Sequence, residues 1–149
     1  VTVFEHLIAG DIPASFVHRD ADCVAFMDIR PISAGHVLVV PHSPVATLAE
    51  LDEANNAHLW RIAQRVALAQ QQALGSRAQH FLVNDGAAAS QSVPHVHIHV
   101  IPRYGRDSAR SMARLAWHLT TLMLPYRDTP AKRARLDALA AAIAGAIGP

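Results

Sequence analysis

Sulfur, surplus charge and long apolar runs are what this chain has least of. Cys23 is the only cysteine, which excludes an intrachain disulfide framework and a thiolate-rich structural zinc cluster and is consistent with a reducing, cytoplasmic compartment. Lys and Arg number 13 against 12 Asp and Glu. That balance is too even for a general nucleic-acid binder or a disordered tail, so no polymeric nucleic acid is expected as a partner. The apolar stretches are short or broken by charge, and Val1 to Glu5 has no basic segment leading into an apolar run. Neither a membrane span nor a signal peptide is expected. No internal repeat is apparent. What remains is 149 residues, 51% of them hydrophobic, enough for one core.

The first third reads as short extended pieces, Ser15 to His18, Cys23 to Asp28 and His36 to Val40, separated by turns containing Asp, Gly or Pro. From Asp52 the pattern changes period: Leu59, Ile62, Ala63, Val66 and Ala69 recur at three-to-four spacing, with Asp52 as N-cap and Gly75 as stop, predicting an amphipathic helix. Extended segments return at Gln79–Asn84 and Pro94–Ile101, around a small polar loop at 85–92. Strands, helix, strands predicts an α+β fold, a mainly antiparallel sheet with its apolar face covered by the long helix. Beyond Arg103 two further helices are expected, Ser111–Leu124 and an alanine-rich Ala131–Ile147. The chain is thus divided into a domain at 1–105 and a helical C-terminal extension at 106–149 packed on it. From residue 85 onward there are 8 basic and 4 acidic residues, a bias that predicts a solvated helical face ahead of a basic tail approaching an anionic ligand or polymer.

Ten histidines are present, three of them within five residues. In Pro94-His95-Val96-His97-Ile98-His99-Val100-Ile101-Pro102 the alternation places the three imidazoles on one strand face and Val96, Ile98 and Val100 on the core face. At about 3.3 Å per residue, His95 and His99 stand roughly 13 Å apart, a row rather than a claw around one ion. One or two of them together with His36 or Asp28 would still suit a metal. The row equally suits chemistry on an anion, because a neutral imidazole is a nucleophile near neutral pH and its neighbours fix its tautomer or hydrogen-bond phosphoryl oxygens. Ser90, Gln91 and Ser92, just upstream, offer donors for the charge that develops.

His95-Val96-His97-Ile98-His99-Val100-Ile101 matches the histidine triad pattern of His, apolar, His, apolar, His, apolar, apolar. With Asn84-Asp85-Gly86, Gln91-Ser92-Val93 and Pro102-Arg103 the chain resembles that family. Cys23 to Pro31 followed by Gly35 to Pro41 looks like the family's nucleotide-binding half, and the likeness runs in order from about Phe4 to Arg103. The resemblance implies a hydrolase acting at the α-phosphate of a nucleoside phosphoramidate or dinucleoside polyphosphate, with a purine nucleotide as substrate, a nucleoside monophosphate as product, and no cofactor or metal. It implies His97 as nucleophile, His99 and His95 as phosphate-binding or orienting groups, and His36 as support for the imidazole network. Asp28 is then the ribose contact, Ile29 the base contact, and Asn84, Gln91 and Ser92 position phosphate and leaving group. A homodimer formed through the long helix and a sheet edge is implied as well.

Ser90 stands where many relatives have Gly, which bears on the freedom of the phosphate loop. Where relatives with zinc show paired N-terminal cysteines, this chain has Phe4-Glu5-His6-Leu7. His6, His42 and His80 are assigned surface or packing roles, and His18, His58 and His118 have no spacing that gathers them. Cys23 is assigned to the core. Two other readings are distinguishable: a nucleotide-binding scaffold without turnover, and a metal-dependent hydrolase using His36 and His97.

Overall fold

The computed structural model describes residues 1–105, 108–121 and 126–148; the expected helix end at 122–124 and the side chain of His118 lie outside them. Its elements are α1 (Val3–Ala9), β1 (Phe16–Arg19), β2 (Cys23–Met27), β3 (Val37–Pro41), α2 (Glu53–Leu74), β4 (Ala78–Leu82), β5 (Ile98–Arg103), α3 (Ser108–Thr121) and α4 (Pro130–Ala146). The strands form one sheet in the order β1-β2-β3-β5-β4 with every neighbouring pair antiparallel. This is the α+β arrangement the sequence predicts. No described helix is long and apolar enough to cross a membrane.

Helix α2 forms where its periodicity says it should. The Asp52 carboxylate accepts the Asn55 N–H, Gly75 ends the helix at φ 71, and Leu59, Ile62, Ala63, Val66 and Ala69 form its buried stripe. Each fully buried aliphatic side chain of this kind contributes about 1.5–3 kcal/mol. Buried Gln70, on the same helix, donates from Nε2 to the Gly35 and Val100 carbonyls at 2.9 and 3.0 Å, tying α2 to the β2–β3 turn. Gly35 adopts φ 92, a left-handed conformation that L side chains rarely take, so any replacement there is strained, and a Cβ would also require Leu74 Cδ1, 2.4 Å away, to move aside. The alanine-rich α4 contributes Leu136, Ala140 and Ile143 to the same core.

Strands β2, β3 and β5 are buried on both faces, which the single-helix reading did not anticipate. Cys23, Ala25, Met27, Val37, Val39, Val96, Ile98 and Val100 face α2 and α4. The alternate residues Val24, Phe26, Leu38 and Val40 face the other way and meet Phe4, with Leu7 and Ile8 beside it. Phe4 belongs to α1, a helix the sequence reading passed over. Its signal is the capping box: Thr2 Oγ1 accepts the Glu5 N–H while the Glu5 carboxylate accepts the Thr2 N–H at 2.6 Å. A second correction concerns the strand start. Pairing begins at Ile98 rather than Pro94, because the Val96 N–H goes to the Val45 carbonyl (2.9 Å) and not into the ladder.

Candidate active site

Period-two geometry assembles the site from segments far apart in sequence. Phe26, Leu38 and His99 form one row across β2, β3 and β5, and on each strand every second residue returns to that face. Asp28 and His36 therefore lie one step further along the same face, joined by the Asp28 N–H bond to the His36 carbonyl at 3.0 Å. His97 lies one step in the opposite direction.

The hydrogen bonds decide where the protons are. The Ile32 N–H donates to His36 Nδ1 at 3.1 Å, so the neutral His36 ring carries its proton on Nε2. That Nε2–H donates to His99 Nδ1 at 2.9 Å, with Asp28 Oδ2 at 3.5 Å, and so assigns the proton of neutral His99 to its Nε2. His97 runs the other way: its Nδ1–H donates to the His95 carbonyl at 2.8 Å, leaving the lone pair on Nε2. The His97 and His99 rings stand 4.9 Å apart, and Phe4 packs edge-on against His97 at 5.0 Å. Burial pushes the His97 imidazolium below the ordinary imidazole value, against the opposing pull of the His95 carbonyl and Asp28.

His95 is fully buried behind this row. Its Nε2–H donates to the Pro41 carbonyl at 2.8 Å and its Nδ1 accepts the Thr2 hydroxyl at 3.1 Å, so the α1 cap and the first histidine hold one another. Burial again lowers its basicity. Its ring does not line the cavity; what it presents to His97 is its carbonyl oxygen.

A cavity of about 460 Å³ opens on this face. Asp28, Ser92, His97 and His99 form its polar side, and Phe4, Leu7, Ile12, Phe26 and Leu38 its apolar side, with Ile29 at the edge. Arg30 N–H holds Asp28 Oδ1 at 2.8 Å. Of the other expected site residues, His36 stands behind His99, and Asn84 is half-buried outside the lining. Gln91 spends its amide on the loop, accepting the Gly86 N–H and donating to the Ala46 carbonyl, both at 2.8 Å. Ser90 adopts φ 64, the sole positive φ outside glycine among the described residues. The sequence reading missed the walls from α1 and from Tyr126, Asp128 and Arg133. The Thr2-x-x-Glu5 cap signalled the first, while nothing local signalled the second. Arg133 bonds Asp128 at 2.9 Å and Ser15 Oγ at 3.0 Å.

Asp28, His36 and His99 offer ligand atoms within 4.8 Å of one another. A metal there would have to displace both the Ile32 bond and the His36–His99 bond, and His97 is not in the group.

The structure does gather histidines that sequence spacing left scattered. His18 and His58 each donate from Nε2 to Asp20 Oδ2, at 2.6 and 2.8 Å, and His42 donates to the Asp20 carbonyl at 3.0 Å. Burial alone would raise the Asp20 carboxyl, but these bonds and those from the Cys23 and Asp22 amides outweigh it and hold the group below the usual carboxylate range. Beside it Cys23 is buried, its thiol pushed up to about 12 by desolvation and by Asp20, so it is no nucleophile. His6 pairs with Asp11 on the surface, and His80 with Arg103.

The HIT domain family model matches residues 9–106. The chain is 40% identical over 105 residues to an uncharacterized HIT-like protein of Mycobacterium tuberculosis, covering 70% of this chain and 73% of that one. It is 36% identical over 101 residues to the adenosine 5'-monophosphoramidase of Schizosaccharomyces pombe, covering 68% and 73%. The crystal structure of a HIT-like protein from Bartonella henselae superposes with a TM-score of 0.77 at 28% identity, covering 97% of this chain and 95% of the other.

Proposed function

The chain belongs to the HIT domain family, and from that premise we propose that it hydrolyses nucleotide conjugates at the α-phosphate through a nucleotidyl-histidine intermediate on His97. The observation that carries this reading is the 2.8 Å bond from His97 Nδ1 to the His95 carbonyl. A carbonyl only accepts, so the ring nitrogen donates and Nε2 keeps its lone pair in the wall of a cavity.

Attack by Nε2 forms an N–P bond while the bond from phosphorus to the leaving group breaks, the leaving group departing with the electron pair and taking up a proton. The positive charge that grows on the His97 ring is stabilised by the Nδ1–H bond to the His95 carbonyl, which makes His95 a positioning residue. His99 Nε2–H donates to a nonbridging oxygen, its tautomer set by His36. Water then adds at phosphorus and loses a proton, the N–P bond breaks, and the nucleoside monophosphate leaves. Asp28 accepts from ribose hydroxyls, Ile29 and the apolar wall take the base, and Ser92 meets the phosphate on a loop shaped by Asn84 and Gln91.

The name of the fission-yeast relative makes adenosine phosphoramidate the first substrate to try, with diadenosine polyphosphates second. The test follows AMP release in the presence of chelator, with rapidly quenched protein examined by intact mass. A metal-independent burst and a nucleotidyl adduct on His97 are expected. Binding without adduct would leave a scaffold, and turnover restored only by added metal would leave a metalloenzyme.

The same reading includes a homodimer. Edge strand β4 and the adjoining face of α2 expose Phe81, Leu82, Trp60 and Leu68, with the Trp60 and Phe81 rings 6.5 Å apart. Sedimentation equilibrium is expected to give a dimer, and Phe81→Glu to give a monomer.

A further inference from the structure

A second cavity, of about 630 Å³, adjoins the first and shares Ile29, Arg30 and Tyr126 with it. Five cationic side chains line it, Arg30, Arg114, Arg127, Lys132 and Arg135, and no carboxylate does among the described residues. The C-terminal cations Arg114, Arg127, Lys132 and Arg135 are exposed, as a solvated basic face requires, yet they converge on one cleft. On α4, Lys132 and Arg135 fall at helical spacing with Leu136 and Leu139, all four lining the cavity, and Leu136 belongs to the core. The two cations, both exposed, thus flank the core stripe of the helix at the cavity rim. Lys132 Nζ lies 5.4 Å from the Tyr126 ring centroid. Like charges gathered around one space repel unless an anion compensates them. All of these cations but Arg30 lie outside residues 9–106.

Strand register says which end of a nucleotide would meet this cavity. Asp28 and His97 lie at opposite ends of the site face, one step to either side of the row formed by Phe26, Leu38 and His99. The second cavity is lined by Ile29, Arg30, Pro31, Ala34 and Gly35, the turn beyond Asp28, and by none of Ser92, His97 and His99. It therefore adjoins the ribose end, away from the reacting phosphorus.

We propose that this cavity is a second anion subsite, taking a phosphate carried on the 2′ or 3′ hydroxyl of a nucleotide whose 5′ phosphate lies at His97. This rests on the nucleotide reading above. One ribose hydroxyl remains for Asp28, while the phosphorylated one projects past Arg30 toward Lys132 and Arg135, where charge-assisted hydrogen bonds hold it.

Calorimetric titration of the full chain with AMP, adenosine 2′,5′-bisphosphate and adenosine 3′,5′-bisphosphate tests this. One of the bisphosphates is expected to bind at least about tenfold more tightly than AMP. The Lys132→Gln/Arg135→Gln double variant is expected to remove that gain while leaving AMP affinity unchanged, and Arg114→Gln, placed on α3 away from the core, to remove part of it. AMP binding with no gain for either bisphosphate, or a gain that survives both variants, overturns the subsite and leaves the nucleotide reading standing. Failure of AMP itself to bind overturns the nucleotide reading, and the subsite with it.

Discussion

Two gatherings of histidine occupy this sheet, and their ring nitrogens are bonded to different things. At the β1–β2 corner one carboxylate, Asp20, takes the Nε2–H of both His18 and His58, and its backbone carbonyl takes His42. At the site the partners are chiefly carbonyls, a backbone amide, the Thr2 hydroxyl and other imidazoles, with Asp28 Oδ2 at 3.5 Å from His36 Nε2; they fix each tautomer and leave the His97 Nε2 lone pair in a cavity wall. Histidine number and even proximity are alike in the two places. What separates a clasp from a catalytic row is which nitrogen the surroundings use.

The sharpest way to break this contrast is to remove one ring from each. His97→Ala is expected to lower kcat/KM by on the order of 10⁴-fold or more and to abolish the adduct by intact mass, whereas His58→Ala leaves turnover within about twofold. Comparable losses from both would erase the distinction.

Acid separates them next. His97 must be neutral to attack, and its pKa lies below the ordinary 6.5. Turnover is therefore expected to persist as pH falls through 6.5 and to decline only as it passes the lower His97 value; a kcat/KM profile with its acid limb above 6.5 would refute the assignment. The same shifts bear on stability. Unfolded histidine binds protons that buried His95 and His97 do not, so their contribution is complete above about 6.5 and is lost as pH falls through their folded values. Asp20, whose pKa is depressed from 3.8, stabilises above that value and loses its effect only below it. The thermal midpoint is expected to fall in two stages, with Asp20→Ala removing the more acidic one.

At neutral pH Asp20→Ala is expected to cost about 2–3 kcal/mol in denaturant unfolding, with kcat/KM unchanged. Thr2→Val, which removes the cap and the hydroxyl bond to His95, is expected to cost about 1 kcal/mol. Smallest is Ser90→Gly. Relief of the left-handed conformation at φ 64 is largely offset by the greater freedom of glycine in the unfolded chain, for a net gain of about 0.5 kcal/mol by denaturant midpoint.

Much of the site was legible where a local rule governs. Alternation alone placed His97 and His99 on one face and Val96, Ile98 and Val100 on the other, and capping residues marked α2 at both ends. Helix α1 was written in Thr2-x-x-Glu5 but lay in a stretch dominated by extended patterns. The start of β5 was not legible, because Val96 gives its N–H to a loop carbonyl that no strand pattern announces. Nor was the gathering at Asp20, since His58 arrives from a helix 38 residues away.

Periodicity, caps and motif spacing are properties of neighbouring residues, so the chain by itself determined its α+β class, its long helix and the common face of its reacting histidines. Tautomers, the second buried face and the basic cavity depend on contacts between Thr2 and His95 and between His36 and His99, and on the β2–β3 turn and α4 coming to line one space. Those contacts form only when strand register and helix packing close loops of tens of residues. No local spacing encodes which partner will stand at the other end, and only the tertiary structure decided it.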